Sequence, residues 1–329
     1  MQSQRLIVFD MDGVIIDVSR SYRDAIRQTV RLFFKIAPSW KDLPDPLFPQ
    51  SDLARVKQSG GLNNDWDLTF LVINLLFTLV KVSKIHEDTD TWVKYYKTVC
   101  NCNVTELAQF LKSTNTPLTT LLNKKGRSSS KFIMSLYTDD VGKGNIIKQL
   151  FQEIYLGKDF FESIYGIPAK VYHGEGYIHR EKLLIDKPFL EELSKNNILA
   201  IATGRPKIEA DYSLDYFDLR KYFTNIFTLD DCIREERRIL EQEGENVSLG
   251  KPDPYMLNAI TELRRHEISE SCYIGDMPDD MIAASRSKAD FTGIGFLSSA
   301  PHKAILKRDL LRAGANYVIE DFSELKKII

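Results

Sequence analysis

Short apolar runs that stop at polar residues recur along this chain, and they organise it. Residues 5–9 are mostly apolar and β-prone, and they end in Asp10-Met-Asp12-Gly13. Asn197-Ile-Leu-Ala-Ile-Ala202 ends at Thr203-Gly204-Arg205, and residues 226–229 end at Asp230-Asp231. Ser271-Cys-Tyr-Ile-Gly275 leads into Asp276, and residues 291–296 and 317–319 supply two further runs. Short apolar stretches bounded by turn residues fit strands buried on both faces. From residue 183 to the end they alternate with helical stretches. This alternation predicts an α/β fold, a Rossmann-like parallel sheet with helices on both faces.

Between these segments the period changes. Ser19 or Ser21 can cap a helix whose apolar face runs through Tyr22, Ile26, Val30 and Phe33. Pro38, Pro44, Pro46 and Pro49 then predict loop. Ser59-Gly60-Gly61 reads as a turn or hinge before a polar cluster of Asn63, Asn64, Asp65, Trp66 and Asp67. Residues 68–80 are apolar but interrupted by Thr69, Asn74 and Thr78; too short to span a bilayer, they predict a buried helix. Residues 85–131 are rich in Ser, Thr, Asn and Lys, which predicts an insertion with one or two helices and a mobile tip. The basic set Lys124, Lys125, Arg127 and Lys131 fits a solvated face better than a substrate-facing lid. Residues 145–156 form an amphipathic helical pattern, and 165–180, with three glycines and one proline, a loop. The expected division is a core of 1–17 and 186–329, and a mostly helical domain of 18–185 with an extra insertion at about 85–131.

Composition narrows the function classes. With 329 residues, 43% of them hydrophobic, the chain can bury a sizeable core and is not globally disordered. Its 44 basic and 46 acidic residues give a formal charge of −2, which leaves no electrostatic footprint for nucleic acid. A small anionic substrate needs only a local basic pocket. Of the four cysteines, Cys100 and Cys102 form a C-x-C pair with no second pair, so reduced thiols are expected rather than a zinc site. No signal-peptide layout is seen at the N-terminus. The expectation is a cytoplasmic protein with no membrane or nucleic-acid partner, its oligomeric state open.

The strand ends carry the candidate chemistry. In an open α/β sheet, ligands sit outside the carboxyl ends of the strands. Asp10 and Asp12 fall there, as do Thr203 beside the flexible Gly204, and Asp276 with Asp279 and Asp280; Lys251 of Gly250-Lys251-Pro252 adds a cation. Two carboxylates on a dry strand cost desolvation unless a cation or hydrogen bonds offset it. For Asp-x-Asp-Gly alone, solvated turn aspartates are an equally good account. Together, carboxylates, a hydroxyl and a lysine at one edge suit phosphate and Mg²⁺, which prefers oxygen ligands.

Four motifs in order make the sequence resemble the haloacid dehalogenase superfamily: Asp10-x-Asp12-Gly13; Thr203-Gly204 after an apolar strand; Lys251 in Gly-Lys-Pro-Asp; and Gly275-Asp276-x-x-x-Asp280. The likeness is to the branch with a helical cap inserted after the first motif. Gly60-Gly-x-Asn-Asn-Asp-Trp-Asp67 and Thr203-Gly-Arg-Pro206 are similar to a phosphoglycolate-phosphatase-like subgroup. The resemblance implies that Asp10 attacks phosphorus and forms an aspartyl-phosphate, and that Asp12 is general acid and base. It implies that Thr203 and nearby backbone bind phosphoryl oxygens, and that Lys251 neutralises charge and orients Asp10. It implies a Mg²⁺ site of Asp10, Asp12 through its carbonyl, and Asp276, with Asp280 supporting; Asp279 is an alternative for part of that role. Arg205 and Gly204 are candidate substrate contacts, a surface ion pair being the other reading of Arg205. Asn64 and Asp65 are candidates to read the leaving group, a helix cap being the other reading.

The dehalogenase branch does not need an acid two residues after its nucleophile, so Asp12 favours phosphate chemistry. Val14, where many phosphatases carry Thr, leaves a mutase open. The leading expectation is therefore a Mg²⁺-dependent phosphatase acting on a small phosphorylated metabolite. The alternatives are a sugar phosphomutase on the same scaffold, or a non-catalytic binding protein.

Overall fold

The strands fall largely where the apolar runs predict. In the computed structural model, residues 4–59, 64–126, 129–297 and 300–329 are described. Six of its strands form one sheet: β1 (Gln4–Phe9), β2 (Asn197–Ala202), β3 (Asn225–Phe227), β4 (Ile268–Gly275), β5 (Phe291–Phe296) and β6 (Tyr317–Ile319). Their order is β6-β5-β4-β1-β2-β3, and all pairs are parallel. The third run ends sooner than expected, because Thr228 starts the helix Leu229–Glu243 and its N–H donates to the Asp231 carboxylate at 2.8 Å. Phe9 is level with Ile201 on one side and Ile274 on the other, so β1, β2 and β4 end side by side.

Side-chain alternation splits each strand between two faces. On one face Leu6 and Val8 join Ala200, Tyr273, Met256, Ile260 and Ala283. On the other, Phe9 meets Phe223 edge-on at 6.1 Å, and Phe322 at 6.3 Å between ring centroids. Leu6, Ile7, Val8 and Phe9 are wholly buried, each contributing about 1.5–3 kcal/mol relative to exposure.

The chain divides into two compact units, one of 1–18 with 182–329, the other of 19–181. Within the first, Ile16 and Asp17 pair antiparallel with Leu183 and Lys182, a two-residue ribbon.

The second unit is mostly helical, with a two-residue ribbon of Lys81–Val82 and Cys102–Asn103. Tyr22–Phe33, Asp65–Phe77 and Ile146–Leu156 bury Ile26, Val30, Val72, Leu75, Leu150 and Phe151. Tyr22 stacks on Tyr155 with centroids 4.1 Å apart. A helix, Gln50–Gln58, also follows Pro49, where the prolines suggest loop. Among the described residues the insertion holds three helices where one or two are expected: Thr91–Val99, Thr105–Ser113 and Pro117–Lys125. Its Ser/Thr-rich composition masks a buried set of Leu107, Leu111, Leu118 and Leu121. Asp52, fully buried, anchors the third of these helices: it accepts from the backbone N–H of Leu118 at 2.6 Å and of Thr119 at 3.2 Å. Those donors have no partner within their own helix. Lys124, Lys125 and Lys131 are exposed, while Arg127 lies outside the described residues, as do Gly60, Gly61 and Asn63. None of the four cysteines is disulfide-bonded, and only Cys100 is exposed. Among the described residues no helix is long and apolar enough to cross a membrane.

Candidate functional site

The first motif is held at the sheet edge by backbone hydrogen bonds. The Asp10 N–H donates to Ile274 O at 2.8 Å, extending the β1–β4 ladder by one residue. The chain then turns: Ile15 and Ile16 both donate to Met11 O, and the Gly13 N–H donates to Ile16 O at 2.8 Å. Gly13 takes a φ of +76°, which favours glycine. The Met11 N–H donates to Asp10 Oδ1 at 2.7 Å and fixes that carboxylate.

Lys251 joins two of the carboxylates. Its Nζ lies 2.9 Å from Asp10 Oδ1 and 2.8 Å from Asp280 Oδ1. Asp280 sits in the first turn of the helix Pro278–Arg286 and is 1% exposed. It also accepts from the Tyr273 hydroxyl at 2.9 Å and from the Met277 N–H at 2.9 Å. Gly275 leaves room for it, since a Cβ there would lie 2.3 Å from Asp280 Cβ. One carboxylate oxygen from each of Asp10, Asp276 and Asp280 falls within 4.8 Å of the others.

The charges in this site do not balance. Burial pushes the Asp10 carboxyl up to about 8; Asp280, Asp276 and Asp12 add to the rise, and Lys251 opposes it. Burial also works against the Lys251 ammonium, but Asp10 and Asp280 outweigh it and hold its pKa above the usual range. Burial, with Asp280 and Asp10 beside it, keeps the Tyr273 phenol protonated. Three buried carboxylates around one ammonium leave excess negative charge. A hard divalent cation would offset it, and an all-oxygen donor set suits one. The residues therefore fit a cation. Both Asp280 oxygens already accept hydrogen bonds.

Arg205 pairs with Asp12. Its Nε and Nη2 lie 2.6 and 2.5 Å from Asp12 Oδ1, and its Nη1 donates to Ser213 Oγ at 2.8 Å. This ion pair is buried on the arginine side, with Arg205 only 1% exposed, rather than lying on the surface. Thr203, fully buried, follows β2; its N–H donates to Phe227 O at 2.9 Å and its hydroxyl accepts from the Arg205 N–H at 3.2 Å. Gly204 is exposed between them. Of the two candidate helix aspartates, Asp280 is the one beside Lys251; Asp279 is half-buried. Asn64 and Asp65 belong to the second unit. Asn64 caps the helix Asp65–Phe77, accepting from the Asp67 N–H at 2.6 Å, and Asp65 pairs with Lys57 at 2.9 Å.

Two participants escape the sequence reading. Tyr273 has a signal, a lone hydroxyl-bearing ring in the 271–275 run beside small and aliphatic residues. Ser213, in the helix Lys207–Tyr216, has none.

The model of the haloacid dehalogenase-like hydrolase family matches residues 4–288. No curated protein matches the chain significantly. Among solved structures, an X-ray structure of a Northeast Structural Genomics Consortium target is 23% identical, with a TM-score of 0.65, over 100% of this chain and 98% of that one. Phosphatase Tt82 from Thermococcus thioreducens is 20% identical, with a TM-score of 0.51, over 93% of this chain and 99% of that one. These two likenesses are of fold.

Proposed function

The chain belongs to the haloacid dehalogenase-like hydrolase family, and from that premise we propose that it is a Mg²⁺-dependent phosphatase acting on a small phosphorylated metabolite. The observation that carries this reading is a second carboxylate, Asp12, beside the Lys251-paired Asp10 and clamped by a buried arginine. Ester cleavage at phosphorus needs a nucleophile and a proton for the departing oxygen.

In this reading the Asp10 oxygen bonds to phosphorus as the P–O bond to the alcohol breaks, and Asp12 gives its proton to the leaving oxygen. Water then attacks the aspartyl-phosphate, Asp12 takes a proton from it, and phosphate and free Asp10 are regenerated. Lys251, 2.9 Å from Asp10 Oδ1, orients the nucleophile. Thr203 and the Gly204 backbone bind phosphoryl oxygens at the end of β2. Asp10, the Asp12 carbonyl and Asp276 would hold Mg²⁺, and Asp280 would support it. When bound, the ion supplies positive charge against the phosphoryl oxygens.

The second unit is proposed as the cap that selects the substrate, with Asn64 and Asp65 reading the leaving group in addition to their cap and ion-pair roles. Phosphate release from p-nitrophenyl phosphate, with Mg²⁺ and with EDTA, tests the reading. No release with Mg²⁺, or equal release in EDTA, overturns it.

A further inference from the structure

We propose that Arg205 is the positioning residue for Asp12: it holds the carboxylate through Oδ1 and leaves Oδ2 to carry the proton. This rests on the reading of Asp12 as acid and base. Two guanidinium nitrogens, Nε and Nη2, converge on the same Oδ1 atom at 2.6 and 2.5 Å. Both of these contacts fall on Oδ1. A planar guanidinium directs its N–H groups along fixed lines, so two of them on one oxygen define the plane and rotamer of the carboxylate more tightly than a lysine could.

Arg205 is itself held by its neighbours. Its Nη1 donates to Ser213 Oγ at 2.8 Å, its N–H to Thr203 Oγ1 at 3.2 Å, and its carbonyl accepts from the Leu229 N–H at 2.9 Å. The acid–base group on the β1 loop is thereby referenced to the β2 loop and to two helices. The arginine side chain is 0% exposed while that of Asp12 is 27% exposed. The accessible member of the pair is therefore the Asp12 carboxylate, not the guanidinium. The guanidinium keeps all its protons throughout; the proton that moves is the one on Asp12 Oδ2, to the leaving oxygen, and its replacement comes from the attacking water.

The test compares kcat/KM for p-nitrophenyl phosphate, whose leaving group departs without a proton, with that for an alkyl phosphate, whose leaving group needs one. Arg205→Gln should lower the alkyl phosphate value by about tenfold or more and the p-nitrophenyl value by less than about threefold, less than the roughly 10²-fold or more of losing the general acid itself, because Asp12 remains. Asp12→Asn should show the same split, larger, and the double variant should be no worse than Asp12→Asn alone, as expected of residues acting as one unit. Arg205→Lys should recover part of the alkyl phosphate rate. If Arg205→Gln does not fold, Ser213→Ala, which removes the hydroxyl that accepts from Arg205 Nη1, should give the split at smaller size. Equal losses on both substrates, or no loss, in the arginine and serine variants while Asp12→Asn shows the split overturn the positioning role alone. Equal losses in Asp12→Asn overturn the acid reading, and the positioning role falls with it.

Discussion

Gly13 and Asp276 are in such close approach that a Cβ on Gly13 would lie 2.1 Å from Asp276 Oδ2. The turn after the first motif and the carboxylate after β4 thus share one space, and only a residue without a side chain permits both. Gly13→Ala should push the Asp276 carboxylate out of place and strain a backbone at φ +76°, at a cost of roughly 1–2 kcal/mol. The expected result is a raised Mg²⁺ requirement together with a lower melting temperature. A Mg²⁺ titration that superimposes on wild type would refute it.

Asp10→Asn should abolish turnover and keep the fold, because the amide is nearly isosteric but cannot attack phosphorus. Activity within about tenfold of wild type, a difference of about 1.4 kcal/mol in barrier, would remove Asp10 as nucleophile. The same variant carries a pH signature in EDTA. The folded-state pKa of Asp10 is raised from 3.8 to about 8, so its contribution to stability is complete below about pH 4 and is lost as pH rises through about 8. The melting temperature of Asp10→Asn minus that of wild type should therefore grow between pH 5 and pH 9. A difference that stays flat or shrinks contradicts the buried-charge account.

Asp276→Ala removes a charged oxygen from the acidic triad and should raise the Mg²⁺ requirement sharply. Ca²⁺ should inhibit the wild type, because its larger and looser coordination misplaces the groups around it. Full activity of the wild type in excess EDTA would sink the metal site.

Asn64→Ala and Asp65→Ala separate recognition from support. As a helix cap, Asn64 is worth about 0.5–2 kcal/mol, so some stability loss is expected on structural grounds alone. If the pair also reads the leaving group, kcat/KM for the true substrate should fall about tenfold or more in both variants, with acetyl phosphate barely affected. Parallel losses on both substrates, tracking the melting temperature, would leave only the structural role.

The sheet was legible in the sequence because strand burial is a local signal. Asn197–Ala202, Phe291–Phe296 and Tyr317–Ile319 coincide with the apolar runs that mark them. Side chains buried on both faces demand an unbroken apolar stretch, and a polar residue marks where the strand leaves the core. The residues of the candidate site were legible for the same reason: Asp10, Thr203 and Asp276 are where those runs stop. The insertion was less so, since the anchor of one of its helices is Asp52, 66 positions before the Leu118 N–H it accepts from. Pairing partners were beyond reach of any local pattern. Arg205 meets Asp12 across 193 residues, and Lys251 bridges Asp10 and Asp280 from a loop that no strand periodicity places. Those contacts exist because parallel pairing sets β2, β1 and β4 side by side with their ends level. Strand order is fixed by the packing of both sheet faces together, and no single segment of the chain contains it.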